Sequence, residues 1–298
     1  MIIDTYAGEL AALLVAVFWT ITALSFELAT KRIGSLSVNI TRLLFGFLFL
    51  SLFTTIRRGM PLPLDAGAHQ WIYLSLSGLV GFIFGDYFLF ASYQLITSRI
   101  AMLIMTFVPP VTAFLGWLFL GESMSLQHLA GMTLTVAGIV LTVVSRPDGG
   151  KMKLRYPAKG IFFAFLGVLG QAGGLILSKI GMADYDPFAS TQIRIITGFF
   201  GFLAIILFTG RLGKVWQSLR DRKALAGITS GSFFGPFLGV SFSLIAIRHT
   251  STGIASTLMA IVPILIIAPS ALIFKQKVGA ADYIGAIISV AGVVLFFV

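Results

Sequence analysis

The sequence predicts an all-α integral membrane protein, with ten transmembrane helices arranged as two inverted five-helix repeats. Three observations lead there. The 298 residues are 57% hydrophobic and only 11% charged, with a mean hydropathy of +0.99; a soluble domain carries about 25% charged residues. The apolar runs, such as 40–53 and 199–208, do not alternate as the strands of a membrane barrel must, so the spans are helical. The second half also repeats the first at a separation of 154 residues: Ser98–Pro109 reads SRIAMLIMTFVP and Thr252–Pro263 reads TGIASTLMAIVP. Each stretch sets a proline within an apolar run long enough to be a span of roughly 20 residues.

Helix one is predicted over Gly8–Ala29, closed by Lys31 and Arg32. The leading Met1-Ile2-Ile3-Asp4 is acidic where a signal peptide opens with positive charge, so this helix is read as retained. Helix two covers Ser37–Ile56 and ends at Arg57-Arg58, with Pro61 and Pro63 in the loop beyond, where they disturb no helix. Helix three covers Trp71–Ile96, helix four Ser98–Leu120 with an exit at Gly121-Glu122, and helix five Gln127–Val144. A basic linker rich in Pro and Gly, 147–157, divides a first repeat (1–146) from a second (158–298). Helices six to ten follow over Ala158–Ile180, Phe188–Phe208, Ala224–Ile247, Thr252–Phe274 and Ala280–Phe297, with a basic stretch Arg211–Lys223 between seven and eight.

The repeat extends beyond the prolines. Gly81 and Gly85 correspond to Gly235 and Gly239, and Val136-Ala137-Gly138 to Val290-Ala291-Gly292; Arg42 corresponds to Arg194 at a separation of 152. An odd number of spans per copy forces the second copy to enter the membrane in the opposite sense, the inverted repeat of secondary transporters. With the N-terminus outside, 15 basic residues, from Lys31 and Arg32 to Lys275 and Lys277, fall on the inner side and four (Arg57, Arg58, Lys179, Arg248) on the outer. Basic residues collect on the cytoplasmic side, so both termini are expected outside.

Composition also excludes function classes. The net charge of +10 is explained by those inner loops, and no soluble basic module exists to bind nucleic acid. No cysteine means no disulfide, thiolate nucleophile or cysteine-ligated metal. Three scattered histidines (His69, His128, His249) make no metal centre, and no G-x-x-x-x-G-K-[ST] loop supports ATP-driven transport. No cofactor is expected. A membrane-embedded enzyme would need convergent acids or Ser/His on helices; Asp86 has no partner at motif spacing, and a receptor needs no inverted duplication.

The residues that remain define candidate sites. Pro109 and Pro263 each remove a hydrogen bond to the carbonyl four residues earlier, those of Met105 and Met259. In lipid a freed carbonyl must line a wet cavity or find another partner. Either the bends serve packing alone, or they form a hinge at the substrate site with Met105 and Met259 as adaptable walls. Gly81, Gly85, Gly235 and Gly239, with Gly170 and Gly174, let helices approach closely or slide. Asp86, deep in helix three, is costly in a membrane and marks function by default, unless it is solvated in a vestibule or paired with an arginine. It is a candidate to carry a proton or meet a substrate ammonium. Arg42 and Arg194 are expected to snorkel to the interface, with a substrate carboxylate as the alternative, and Glu27 with Lys31 reads as a helix-end ion pair. Trp19, Tyr87, Phe90, Tyr93, Gln94 and Gln171 are placed to frame a flat or apolar ligand.

Two five-helix copies, an arginine opening the second helix and a proline-broken fourth resemble the EamA branch of the drug/metabolite transporter superfamily. The likeness is clearest in Tyr93-Gln-Leu-Ile-Thr-Ser-Arg-Ile-Ala-Met102, Val108-Pro109, Leu120-Gly121-Glu122 and Ala137-Gly138. The second copy departs where Lys275-Gln276 replaces Gly121-Glu122. The resemblance implies a central cavity lined by helices one, three, four, six, eight and nine, with helices five and ten as packing or dimerisation elements. It also implies cytoplasmic termini, against the charge count. YddG-type exporters of aromatic amino acids are similar in length and architecture. The expected partners are therefore a small-molecule substrate and the lipid bilayer of the inner membrane. Protons are a candidate coupling ion, and the assembly expected is a monomer or weak homodimer. Multidrug efflux and nucleotide-sugar exchange are the alternatives.

Overall fold

The computed structural model describes residues 7–120, 125–145, 153–249, 255, 258–275 and 278–297. The helix-four exit at Gly121-Glu122, most of the linker (Arg146 to Met152), the helix-nine start at Thr252, and Gln276 with Lys277 lie outside them.

Six helices are long and apolar enough to cross a membrane: Ala7–Ile33, Ser35–Arg58, Ala68–Ser92, Ala158–Met182, Pro187–Phe208 and Arg222–His249. These are helices one to three and six to eight. Helices four, five, nine and ten are shorter apolar segments, so the ten helices are not ten equal spans. The basic stretch before helix eight holds an unexpected short helix, Leu212–Ser218. The all-α expectation needs one small correction, since Val144–Ser145 and Lys153–Leu154 pair antiparallel across the linker.

The predicted ends hold for chemical reasons. Lys31 and Arg32 close helix one, and Arg57 and Arg58 close helix two, where cations meet the negative end of the helix dipole. Glu27 is fully buried and pairs with Lys31. Its second oxygen accepts the backbone amide of Ser98 at 2.8 Å, so it also caps helix four. Helix seven starts where Asp186 accepts the amides of Phe188 and Ala189, both at 3.0 Å, with Pro187 in the first turn, where its missing N–H costs nothing.

Packing follows the pseudo-two-fold of the repeats. Helix one lies along helix eight, and helix six along helix three; helix two meets seven, and five meets ten. Small residues make these approaches close. A Cβ on Gly170 would sit 2.3 Å from the Cα of Gly85, and one on Gly174 would sit 2.8 Å from that of Gly81. Helices five and ten cross at a reciprocal pair 154 residues apart: Thr135 Oγ1 donates to the Ser289 carbonyl at 3.3 Å, and Ser289 Oγ to the Thr135 carbonyl at 3.2 Å. Large apolar side chains such as Phe208, Leu272 and Phe200 cover the outside, where a membrane protein meets lipid.

Both third helices of the repeats change winding at matching places. Gly78–Asp86 and Phe233–Gly239 are π-helical, a form concentrated at functional sites. The proline breaks also match, and they differ from the expected kinks. Helix four ends at Met105 and restarts at Val108, with Thr106 and Phe107 amides bonding back three residues, at 3.1 and 3.0 Å. Helix nine breaks at Ala260–Ile261 and restarts at Val262. Pro109 and Pro263 thus stand in the first turn of a new segment rather than inside a bent helix.

Candidate functional site

The two breaks and the two π segments surround one cavity of about 190 Å³ between the repeats. Its wall is mostly apolar and aromatic: Trp19 and Phe26 from helix one, Phe82 and Phe90 from helix three, Met105 and Pro109 from helix four, and Met259 and Pro263 from helix nine. Phe26 and Phe90 lie 4.9 Å apart between ring centres, and Phe90 stacks on Tyr93 at 5.5 Å. Tyr93 also lines the space and donates its hydroxyl toward Met102 Sδ at 3.7 Å.

One polar cluster interrupts this wall. Arg42 and Asp86 form a buried ion pair, with Nη2 to Oδ2 at 2.5 Å. The other Asp86 oxygen accepts Gln171 Nε2 at 2.6 Å, and that nitrogen also reaches the Gly81 carbonyl at 3.2 Å. Arg42 Nε donates to Asn39 Oδ1 at 3.0 Å. Its guanidinium is boxed by the rings of Phe26, Phe82 and Phe90 at 5.8, 5.4 and 4.8 Å. Arg194, the repeat-mate of Arg42, lies over the Phe82 ring at 4.7 Å. Its Nε has no hydrogen-bond partner among the described residues. The cluster therefore holds two guanidinium groups and one carboxylate, and Asp86 is the one acid lining the described wall.

The expectation of snorkelling is overturned. Arg42 and Arg194 are 3% and 5% exposed, because packed helices on every side leave no route to the interface. The helix-three carboxylate has a partner after all, 44 residues away in sequence. With both oxygens occupied, it is not an open seat for a substrate ammonium.

Of the predicted site residues, Trp19, Asp86, Phe90, Tyr93, Met105, Gln171 and Met259 share the cavity, as do Pro109, Pro263 and Gly235. Gly239 backs onto Trp19, whose Nε1 would be 2.9 Å from an added Cβ. Gly81 and Gly85 stand behind the wall, pressed on Gly174 and Gly170. Tyr87 and Gln94 are not in the cavity; they point into a second one at the basic end of the bundle. Sequence reasoning missed Phe26, Phe82 and Pro236. Pro236 had a signal: it interrupts helix eight beside Gly235, opposite Phe82 in the repeat.

Comparison with known proteins supplies a family and a fold. The EamA-like transporter family matches over residues 6–144 and 158–298. An uncharacterised transporter of Bacillus subtilis, YoaV, is 30% identical over 141 residues, covering 45% of this chain and 46% of that protein. A WAT1-related chloroplastic protein of Arabidopsis thaliana is 26% identical over 190 residues, covering 63% of this chain and 44% of that one. The aligned regions thus span less than half the length of these relatives. One crystal structure of a protein, 18% identical, superposes with a TM-score of 0.65 over 97% of this chain and 96% of its own, which shows the shared fold.

Proposed function

The chain belongs to the EamA-like transporter family, and on that premise we propose that it is a secondary transporter of the inner membrane. It exports small metabolites that join a carboxylate to an apolar body, with aromatic and other neutral amino acids foremost, by alternating access between its two repeats. The observation that carries this reading is the charge imbalance of the cavity. Arg42 is neutralised by Asp86, while Arg194 is buried against Phe82 with an unsatisfied Nε. The one carboxylate, Asp86, also acts on Arg194 across the cluster, so two buried guanidinium groups share a single negative charge. An incompletely compensated buried cation is costly, and a substrate carboxylate would relieve that cost. The surrounding Trp19, Phe26 and Phe90 suit an aromatic or aliphatic side chain.

Size narrows the class. The cavity of about 190 Å³ is below the roughly 300–1,000 Å³ of drug-sized sites, which favours a small metabolite over a multidrug or nucleotide-sugar cargo. The proton is the coupling ion to test first, because the Asp86 carboxylate sits beside the proposed substrate position. A monomer is the proposed unit, since helices five and ten cover each other within one chain. Flux of phenylalanine, leucine and a cationic dye into liposomes bearing the purified protein tests the proposal. Amino acid flux that responds to an imposed gradient supports it. Movement of none of these under any ion gradient overturns it.

A further inference from the structure

We propose that the cavity at the start of helix two binds a phosphate-class oxyanion, carried on an anionic phospholipid headgroup or free in solution. This cavity of about 470 Å³ is distinct from the central one and lies at the basic end of the bundle. Lys159, Arg211 and Lys214 line it, and no aspartate or glutamate does. None of the three side chains has an ion-pair or hydrogen-bond partner among the described residues; the Lys159 ammonium only lies over the Phe163 ring, at 5.5 Å. Three cations converging without a carboxylate repel one another, and a bound anion relieves that repulsion.

The backbone supplies the matching donors. Helix two has no side-chain cap, because its N-cap is Gly34, at φ 83°. The first amides of a helix have no intrahelical partner, and here those of Ser35, Leu36 and Ser37 belong to residues that line the cavity. The hydroxyls of Ser35 and Ser37 are unpartnered among the described residues, on residues only 9% and 6% exposed. Donors and positive dipole converge where an anion fits. The corresponding start of helix seven carries its own anion, Asp186, held by Arg57 at 2.7 Å. Helix two keeps the cations and lacks the acid.

The level of the cavity favours a headgroup as the source. Beside it runs the short helix Leu212–Ser218, with Trp216 71% exposed and the nearby Phe208 92% exposed. Exposed tryptophan marks the membrane interface, with Phe208 on the adjoining lipid-facing surface, and basic pockets between helices there suit lipid phosphates.

The test uses the full chain in two arms. Native mass spectrometry compares retention of phosphatidylglycerol and phosphatidylcholine, and a thermal-shift titration in neutral detergent uses inorganic phosphate. Each basic side chain beside an anionic surface contributes a factor of about five. R211Q/K214Q should therefore weaken binding roughly thirty-fold and K159Q alone roughly five-fold. R222Q/K223Q, on the same end but outside the cavity, should leave it unchanged. Selective phosphatidylglycerol retention assigns the site to a headgroup, and a phosphate shift without lipid selectivity assigns it to the free anion; both support the site. Neither effect, equal retention in R211Q/K214Q and wild type, or an equal loss in R222Q/K223Q overturns it.

Discussion

Breaking the Arg42–Asp86 pair from one side should cost far more than replacing both halves together. Asp86→Asn leaves the Arg42 guanidinium buried among three rings with only a neutral amide opposite. Arg42→Gln leaves the Asp86 carboxylate buried with Gln171 as its remaining side-chain donor. Removing one partner of a buried pair costs about 3–5 kcal/mol, because an uncompensated charge stays behind. The double variant R42Q/D86N leaves two neutral amides in nearly the same volume, so it should cost less than the sum by about 2 kcal/mol or more, within the range seen for residues in contact. The same cycle on Arg57–Asp186, whose arginine is half exposed, should show coupling below about 1 kcal/mol. Denaturant titration of the detergent-purified variants, followed by tryptophan fluorescence, measures both cycles. Additive losses at Arg42 and Asp86, within about 0.5 kcal/mol, would refute the claim that the two charges stabilise each other at the core of the site.

Other perturbations reach the frame around the pair. Gly170→Ala would place a methyl 2.3 Å from the Gly85 Cα, so it should lose about 1–3 kcal/mol by overpacking; Gly213→Ala, with nothing within 4 Å, should be neutral or better in the same titration. At Asp221 the amide of Ala224 and then the Arg32 guanidinium hold the carboxyl below its usual range. A depressed carboxyl stabilises the fold above its unfolded value of about 3.9, and that contribution fades as pH falls through the lower folded value. Protection of the amides at the start of helix eight, taken relative to their intrinsic exchange rates, should therefore fall on acidification, and Asp221→Ala, which removes the cap, should lower that protection at neutral pH too. A reporter fused to the C-terminus should be active outside the cell if the count of basic residues sets the orientation; a cytoplasmic reporter reverses it.

Much of the frame was legible because a duplication leaves marks that a helical membrane protein cannot hide. Composition and charge placed the spans, and the 154-residue separation linked Pro109 to Pro263 and Gly81 to Gly235. What escaped was whatever depends on distance between helices. Nothing in the local sequence of Arg42 says whether it reaches the interface or meets Asp86, because that pairing spans 44 residues and depends on how helices two and three pack. The π segments escaped for a similar reason: glycines at 81, 85, 235 and 239 announce close approach, but the change of winding is a response to the helix pressed against them. Tyr87 and Gln94 share an aromatic, amide-rich stretch with Phe90 and Tyr93, yet the helical turn sends them to the other cavity.

The most direct test of the account is whether Arg194 holds the carboxylate of the cargo. Flux through liposomes is measured for an aromatic amino acid and its amide, with wild type and Arg194→Gln. A hydrogen bond to a charged group contributes about 1.5–3 kcal/mol, so wild type should prefer the acid by roughly tenfold to a hundredfold. The account predicts that Arg194→Gln loses acid transport by a similar factor and erases the preference, while amide flux changes little. Unchanged acid transport with the preference intact would contradict it.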